Sequence, residues 1–219
     1  MGQQRHKHVK AFLIANPKGG AGKSTLATNL AGYLAQAGHP VMLGDLDRQQ
    51  SAREWLALRP GVLPPIRTWE ARGDKESSVA RPPKGTTHAV LDSPAGFHGK
   101  ALERTLKQVS HVLVPVQPSL FDILATRHFL EELLQEKAVR KGALQVGVIG
   151  MRVDTRTRAA AELERFFAAY DLPVLGCLRD TQLYVQAAAQ GLTLFDLHPS
   201  RVEKDREQWQ AIVEWAERP

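Results

Sequence analysis

Cysteine is nearly absent from this 219-residue chain: Cys177 is the single one. No disulfide can form within the chain, and a reducing compartment such as the cytoplasm suits it. Cys177 itself reads as a small buried residue. No apolar run reaches membrane-spanning length, so there is no candidate transmembrane helix. The first ten residues are polar and basic with no apolar stretch behind the charged start, so no signal peptide is expected. Internal repeats and low-complexity tracts are missing as well, which sets repeat architectures aside.

What is present is ordinary for a globular protein, with 43% hydrophobic and 24% charged residues. The length allows a real core without disulfide or metal support. One domain spanning residues 1–219 is expected, because strand-like and helix-like segments alternate to the end. The net charge of +6 is unevenly spread: residues 1–110 hold 16 basic and 8 acidic side chains, residues 111–219 hold 13 and 15. A basic excess points, weakly on its own, to polyanionic partners.

Short apolar runs predict strands at 9–15, 41–43 (ending at Asp45), 89–91 (ending at Asp92), 112–116, 146–151 and 174–178. Helical periodicity predicts helices at 24–36, 51–58, 99–108, 122–139, 159–169, 182–190 and 202–216. Residues 59–86 are rich in Pro, Gly and charge and predict loops with a short edge strand near Ile66. The alternation predicts an α/β fold: a three-layer sandwich with a mostly parallel sheet covered on both faces.

Pro17-Lys18-Gly19-Gly20-Ala21-Gly22-Lys23-Ser24-Thr25 lies between a predicted strand and a predicted helix, the setting of a phosphate loop. Its glycines let backbone N–H groups turn toward phosphate oxygens, and the helix start adds its positive end. Lys23 would reach the β- and γ-phosphates and Ser24 would hold Mg²⁺. The bland alternative is a glycine-rich turn that binds nothing. Pro17 stands where the ordinary loop has its first glycine, and Lys18 follows it.

This Lys-Gly-Gly-x-Gly-Lys-Ser/Thr stretch resembles the deviant Walker A loop of the ParA/MinD ATPases. The resemblance covers nearly the whole chain and is most specific at residues 16–25. It implies ATP and Mg²⁺ as ligands, with Gly19, Gly20, Ala21, Gly22, Lys23, Ser24 and Thr25 on the nucleotide. By the same resemblance Lys18 crosses to the phosphates held by a partner subunit, much as an arginine finger does. Asp45-Leu46-Asp47-Arg48-Gln49 resembles the family's first switch, with Arg48 in place of its Pro. Asp47 would orient the attacking water and Asp45 would sit nearer the metal; a pair of helix caps is the competing reading. His88 to Gly96 resembles the second metal-side strand and switch, with Asp92 toward Mg²⁺ and a backbone N–H near Gly96 toward the γ-phosphate. Val116 to Asp122 resembles a Pro-Ser-x-x-Asp stretch and reads as a helix start capped by Ser119 or Asp122.

Guanine-specific relatives carry an Asn-Lys-x-Asp motif, and no Asn-Lys pair occurs here, which favours ATP. The resemblance places the adenine near Met151 and Arg152 and near residues 178–181, including Arg179. One cysteine excludes a bridging iron–sulfur cluster. The last helix carries an apolar stripe (Trp209, Ile212, Val213, Ala216), but residues 202–219 hold five acidic and three basic side chains. Such a helix suits docking on the protein's own body, not an anionic membrane.

ParA relatives bind duplex DNA without sequence preference as ATP dimers. Asp154-Thr155-Arg156-Thr157-Arg158 resembles their DNA-contacting segment, so Arg156, then Arg158 and Arg179, are the candidate contacts. Arg201, Lys204 and Arg206 are weaker ones. The alternative is a solvated helix start with Arg158 paired to Glu162. Arg67, Arg72, Arg81 and Lys84 carry the earlier basic excess and are further candidates. The expected function is an ATPase switch that dimerises with ATP and binds DNA on the nucleoid. It would position plasmid, chromosome or other cargo, with slow hydrolysis stimulated by a ParB-like or other partner. A metabolic or metal-handling enzyme on the same scaffold is the alternative.

Overall fold

The computed structural model describes residues 9–47, 50–69 and 82–218. In chain order the elements are β1 (Lys10–Ile14), α1 (Lys23–Gln36), β2 (Val41–Asp45), α2 (Ser51–Leu58), β3 (Ile66–Arg67), β4 (His88–Asp92), α3 (Gly99–Leu106) and β5 (His111–Val116). Then follow α4 (Leu120–Gln135), α5 (Lys137–Arg140), β6 (Gln145–Met151), α6 (Arg158–Ala168), β7 (Val174–Leu178), α7 (Gln182–Ala188), a 3₁₀ turn (Leu194–Asp196) and α8 (Pro199–Glu217). The strands form one parallel sheet ordered β3-β2-β4-β1-β5-β6-β7. This is the expected sandwich.

A parallel sheet buried on both faces needs apolar residues at successive positions. In β1, Phe12 and Ile14 enter one core with Leu26, Leu30 and Leu34 of α1. Ala11 and Leu13 enter the other with Leu102, Leu130 and Leu163 from α3, α4 and α6. From β1 the chain moves through α1 to β2 on one side; from β4 it crosses β1 and continues through β5, β6 and β7 on the other. Parallel crossovers are right-handed, so opposite directions of travel put the helices on opposite faces. The reversal at β1 opens a crevice at the carboxyl ends of the central strands.

Helix ends differ from expectation where capping decides them. Helix α4 starts earlier than predicted because the Ser119 hydroxyl accepts from the Asp122 N–H at 3.2 Å. It ends at Gln135 because Glu136 is extended, with ψ 131°. Helix α8 starts at Pro199, whose missing N–H costs nothing in a first turn. Its apolar stripe is spent internally: Trp209, Ile212, Val213 and Ala216 are buried in the α1-side core. Among the described residues no helix is long and apolar enough to cross a membrane.

A buried ion pair fastens α2 to the 3₁₀ turn. Arg59 donates to both oxygens of Asp196, at 2.9 and 3.1 Å, and their side chains are 5% and 0% exposed. The same carboxylate accepts from Gln36 of α1 at 2.7 Å and from the Thr193 N–H and hydroxyl at 2.8 Å. Burial alone would raise the Asp196 carboxyl, but these hydrogen bonds outweigh it and hold it below its usual value. Removing one partner strands the other charge, so Asp196→Ala is expected to cost about 3–5 kcal/mol in urea unfolding.

At the amino-terminal edge of the sheet, His88 and His111 sit beside Phe12. Burial pushes both down to about 4; the charges of His39 and Lys10 add to this at His88, and that of Lys10 at His111. Both are therefore neutral in the folded protein at pH 7. The unfolded chain takes up their protons first as pH falls, so stability declines from pH 6.5 toward 4. Urea midpoints at pH 7 and pH 5 should show that decline, and the double variant H88Q/H111Q should flatten it.

Candidate functional site

The loop between β1 and α1 lies in the crevice at the carboxyl ends of β1, β2 and β4. Register aligns Asp92 of β4 with Ile14 of β1 and Asp45 of β2. Gly20 and Gly22 adopt φ +79° and +92°, which side-chain-bearing residues rarely adopt. A Cβ on Gly22 would also lie 2.8 Å from the Met151 methyl, so the loop rests directly on that side chain. Helix α1 begins at Lys23 without a capping side chain and with no acidic residue in its first turn. Helices α4, α6 and α7, by contrast, are capped by Ser119, Thr157 and Thr181. The first-turn N–H groups of α1 are thus left for an anion.

Lys23 is 8% exposed, and its ammonium donates to the Lys18 carbonyl at 2.8 Å. Burial lowers its pKa against the opposing pull of Asp92 and Asp47. Asp92 is 2% exposed, and its Oδ1 has no hydrogen-bond partner among the described residues. Burial pushes its carboxyl up to about 6; Asp45 and Asp47 push the same way, and the Ser24 hydroxyl bond and Lys23 oppose. A buried carboxylate with an orphaned oxygen, bonded to a hydroxyl at the mouth of the loop, is a donor set that fits a hard divalent cation. Mg²⁺ held near Asp92 and Ser24 would neutralise phosphate charge.

Several expected residues have hydrogen bonds or packing within the fold itself. Asp45, expected near the metal, pairs in register with Asp92 and also caps a helix: its oxygens accept from the N–H groups of Asp47 (2.9 Å), Ala52 (2.8 Å) and Arg53 (3.4 Å). Those bonds hold the start of α2 and leave Asp47 beside the pocket. Arg48 lies outside the described residues. Met151, expected against the adenine, is 4% exposed and packs beneath Gly22, supporting the loop. Arg152 is exposed with φ 53°. Arg179 is tied to the buried Asp205 by two hydrogen bonds, at 2.8 and 3.0 Å, instead of being free for base or DNA. The Gly96 N–H, expected toward phosphate, donates to the Pro17 carbonyl at 2.9 Å and links the second switch segment to the loop.

Of the DNA candidates, Arg156 is highly exposed but forms a two-point pair with Asp154, at 2.9 and 2.8 Å. That guanidinium holds the Asp154 carboxyl down at about 2. Arg158 is exposed at the start of α6, and Glu162 pairs with Arg165 at 2.5 Å, not with Arg158. Arg201 and Lys204 are exposed on α8, while Arg206 lies over the Phe195 ring. Arg67 donates to the Lys84 carbonyl at 3.0 Å; Arg72 and Arg81 lie outside the described residues. Sequence reasoning missed two loop contacts: Asn16, and Gln117, whose amide donates to the Gly20 carbonyl. The Asn-Pro dipeptide at 16–17 is a turn signal that could have revealed the first.

A triphosphate with its cation is the ligand chemistry that answers the glycine turns, the uncapped helix, the buried ammonium and the orphaned carboxylate together. The class is that of the phosphate-loop nucleotide-binding proteins. Within it, the chain belongs to the CobQ/CobB/MinD/ParA nucleotide-binding domain family, whose model matches residues 12–194. Maintenance of carboxysome distribution protein A of Gloeobacter kilaueensis is 26% identical over 213 residues, covering 96% of this chain and 95% of that one. The chromosome-partitioning ATPase Soj of Thermus thermophilus is 28% identical over 192 residues, covering 74% and 77%. Among solved structures, an Asp-to-Ala variant of Cyanothece McdA in complex with ATP has a TM-score of 0.68 at 16% identity, covering 95% and 98%. MinD of Pyrococcus horikoshii complexed with Mg-ADP has 0.65 at 17%, covering 95% and 94%. At such identities the structural likeness speaks for the fold.

Asp92→Asn tests the cation site. It removes a buried, half-satisfied carboxyl, so the ligand-free chain should melt at an equal or higher temperature. Mg²⁺ should then no longer tighten ADP binding in titration calorimetry. Retained Mg²⁺ enhancement would exclude Asp92 from the site.

Proposed function

We propose that the chain is an ATP-dependent switch that dimerises across its nucleotide face and holds duplex DNA while ATP is bound. Slow hydrolysis, stimulated by a ParB-like or other partner protein, would end that state. The cycle would position a plasmid, a chromosome or another cargo on the nucleoid. The single observation carrying this reading is the second lysine of the loop. Lys18 has its peptide held at both ends, while its side chain lies at the partly exposed rim. A cation so placed has little to do for the nucleotide of its own subunit, which Lys23 serves, and suits the phosphates of a facing one. The partition and carboxysome-distribution roles of the relatives support the cargo reading.

In this scheme the loop N–H groups, Lys23, Ser24 and Thr25 bind the phosphates, and Mg²⁺ supplies charge neutralisation. Asp47 accepts from the attacking water and holds it in line with the γ-phosphate. Arg152 and the segment at Asp180 and Thr181 border the base. Arg158 offers the least encumbered phosphate contact on that edge, and Arg156 requires exchange of its Asp154 partner for a DNA phosphate.

Asp47→Ala should lower ATP hydrolysis by roughly 100-fold or more, the scale of a lost general base, and accumulate an ATP dimer in analytical ultracentrifugation. A variant that stays monomeric with ATP refutes the role given to Asp47. Unrelated duplex DNA should be shifted in a gel only with ATP, and the shift should fade steeply with added salt. Absence of any shift at low salt would favour an enzyme that uses ATP to drive a reaction.

A further inference from the structure

The geometry points to Asn16 as a positioning residue that fixes the direction in which Lys18 leaves the loop, with Thr126 of α4 as its support. The inference rests on the reading that Lys18 acts on a facing subunit.

Asn16 is 1% exposed and makes three hydrogen bonds. Its Nδ2 donates to the Pro115 carbonyl at 2.8 Å and to the Thr126 hydroxyl at 2.9 Å. Its Oδ1 accepts from the Lys18 N–H at 2.8 Å. The amide cannot be reversed, because that would set its oxygen against the Pro115 carbonyl, another acceptor. Nor can Thr126 donate to Asn16 while its proton is committed to the Asp122 carbonyl at 2.7 Å. Thr126 is wholly buried, so this orientation is set from within the fold.

The Asn16 oxygen on the N–H two residues ahead closes an Asx-turn, with Pro17 in the middle. Proline fixes its own φ near −65°, so the turn has little freedom left. This accounts for proline where an ordinary phosphate loop carries glycine. The Lys18 peptide is then held at its N–H by Asn16 and at its carbonyl by Lys23. The second restraint lapses when the Lys23 ammonium turns to a phosphate. The first survives, since Asn16 and Thr126 are buried and their polar atoms are already committed to each other and to the backbone. The Lys18 backbone is therefore set before a second subunit arrives, and only its side-chain rotamers remain to be ordered on dimerisation.

The test compares Thr126→Val and Asn16→Ala in the full chain, each alone and combined with Lys18→Ala. Affinity for a fluorescent ATP analogue is read by anisotropy, and the ATP-dependent dimer constant by analytical ultracentrifugation. Both variants should bind the analogue within about twofold of the parent and dimerise roughly two- to tenfold more weakly, the scale of one lost buried hydrogen bond. Neither should weaken the dimer further once Lys18 is alanine, and Thr126→Ser should restore the parent value. Thr126→Val keeps the side chain's shape, so the comparison stands even where Asn16→Ala does not fold. An equal loss in the Lys18→Ala background, or no loss in either, overturns the role of Asn16 alone. Lys18→Ala dimerising as the parent does would instead overturn the facing-subunit reading, and this inference with it.

Discussion

A lysine ammonium buried inside a tight glycine loop is the constraint around which the carboxyl edge of this sheet is arranged. Lys23 sits in the first turn of α1, and that helix start carries the positive end of its dipole. The two positive features repel each other unless negative charge is supplied. In the ligand-free chain the supply is partial: the Lys18 carbonyl accepts one proton of the ammonium, and Asp92 and Asp47 contribute at longer range. Burial lowers the Lys23 pKa in spite of their pull. A triphosphate completes the supply, and the site is in that sense built for a ligand the fold itself cannot replace.

The carboxylates divide the remaining work by their surroundings. Asp45 and Asp92 end neighbouring strands in register and differ by only one strand in position. Asp45 is saturated by backbone N–H groups and fastens α2. Asp92 is buried with one oxygen bare, and its raised pKa is the mark of that cost. A structural carboxylate would find partners for both oxygens; one that stays unsatisfied inside a folded chain is a local sacrifice of stability, of the kind binding sites retain. The uncapped start of α1 is a second sacrifice at the same point, and the two are offset by the frame around them. The Arg59–Asp196 pair and the Asn29 side chain, which accepts from the Leu194 N–H at 2.9 Å, lock α1 and α2 from below.

Much of this was legible in the sequence. The alternating apolar runs gave element order and the sandwich, and Pro17 to Thr25 marked the loop, because local backbone needs are written in local residue types. What could not be read was which partner a polar group would choose. Asp45 as cap and metal neighbour are equal from sequence alone; the direction of α2 shows the cap, and the register of β2 sets the same residue beside Asp92. Met151 reads as a strand residue near a base pocket, and only the close approach of Gly22 shows it as the floor of the loop. Arg179 reads as a free cation until Asp205, 26 residues on, is found against it. Asn16 was hidden for the same reason: its partners Pro115 and Thr126 lie 99 and 110 residues away. Contacts across the sheet are set by topology, and a motif does not encode them.

The same pairing logic bears on how DNA binding would be tied to nucleotide. Phosphate contacts contribute through counterion release, and each needs a cation that is not already neutralised. On the edge that carries the nucleotide loop, Arg156 is matched by Asp154 and Arg179 by Asp205, so a single chain presents few uncompensated charges there. One chain alone would then hold DNA weakly at physiological salt. Two chains joined across their nucleotide faces would bring both copies of Arg158 toward one duplex and double the local field. Clustering at that scale also favours exchange of Asp154 for a DNA phosphate, because the competing ligand carries charge at every step of the backbone. On this argument an ATP dependence of DNA binding would need no separate conformational switch in the arginines; it would follow from assembling two half-neutralised surfaces into one.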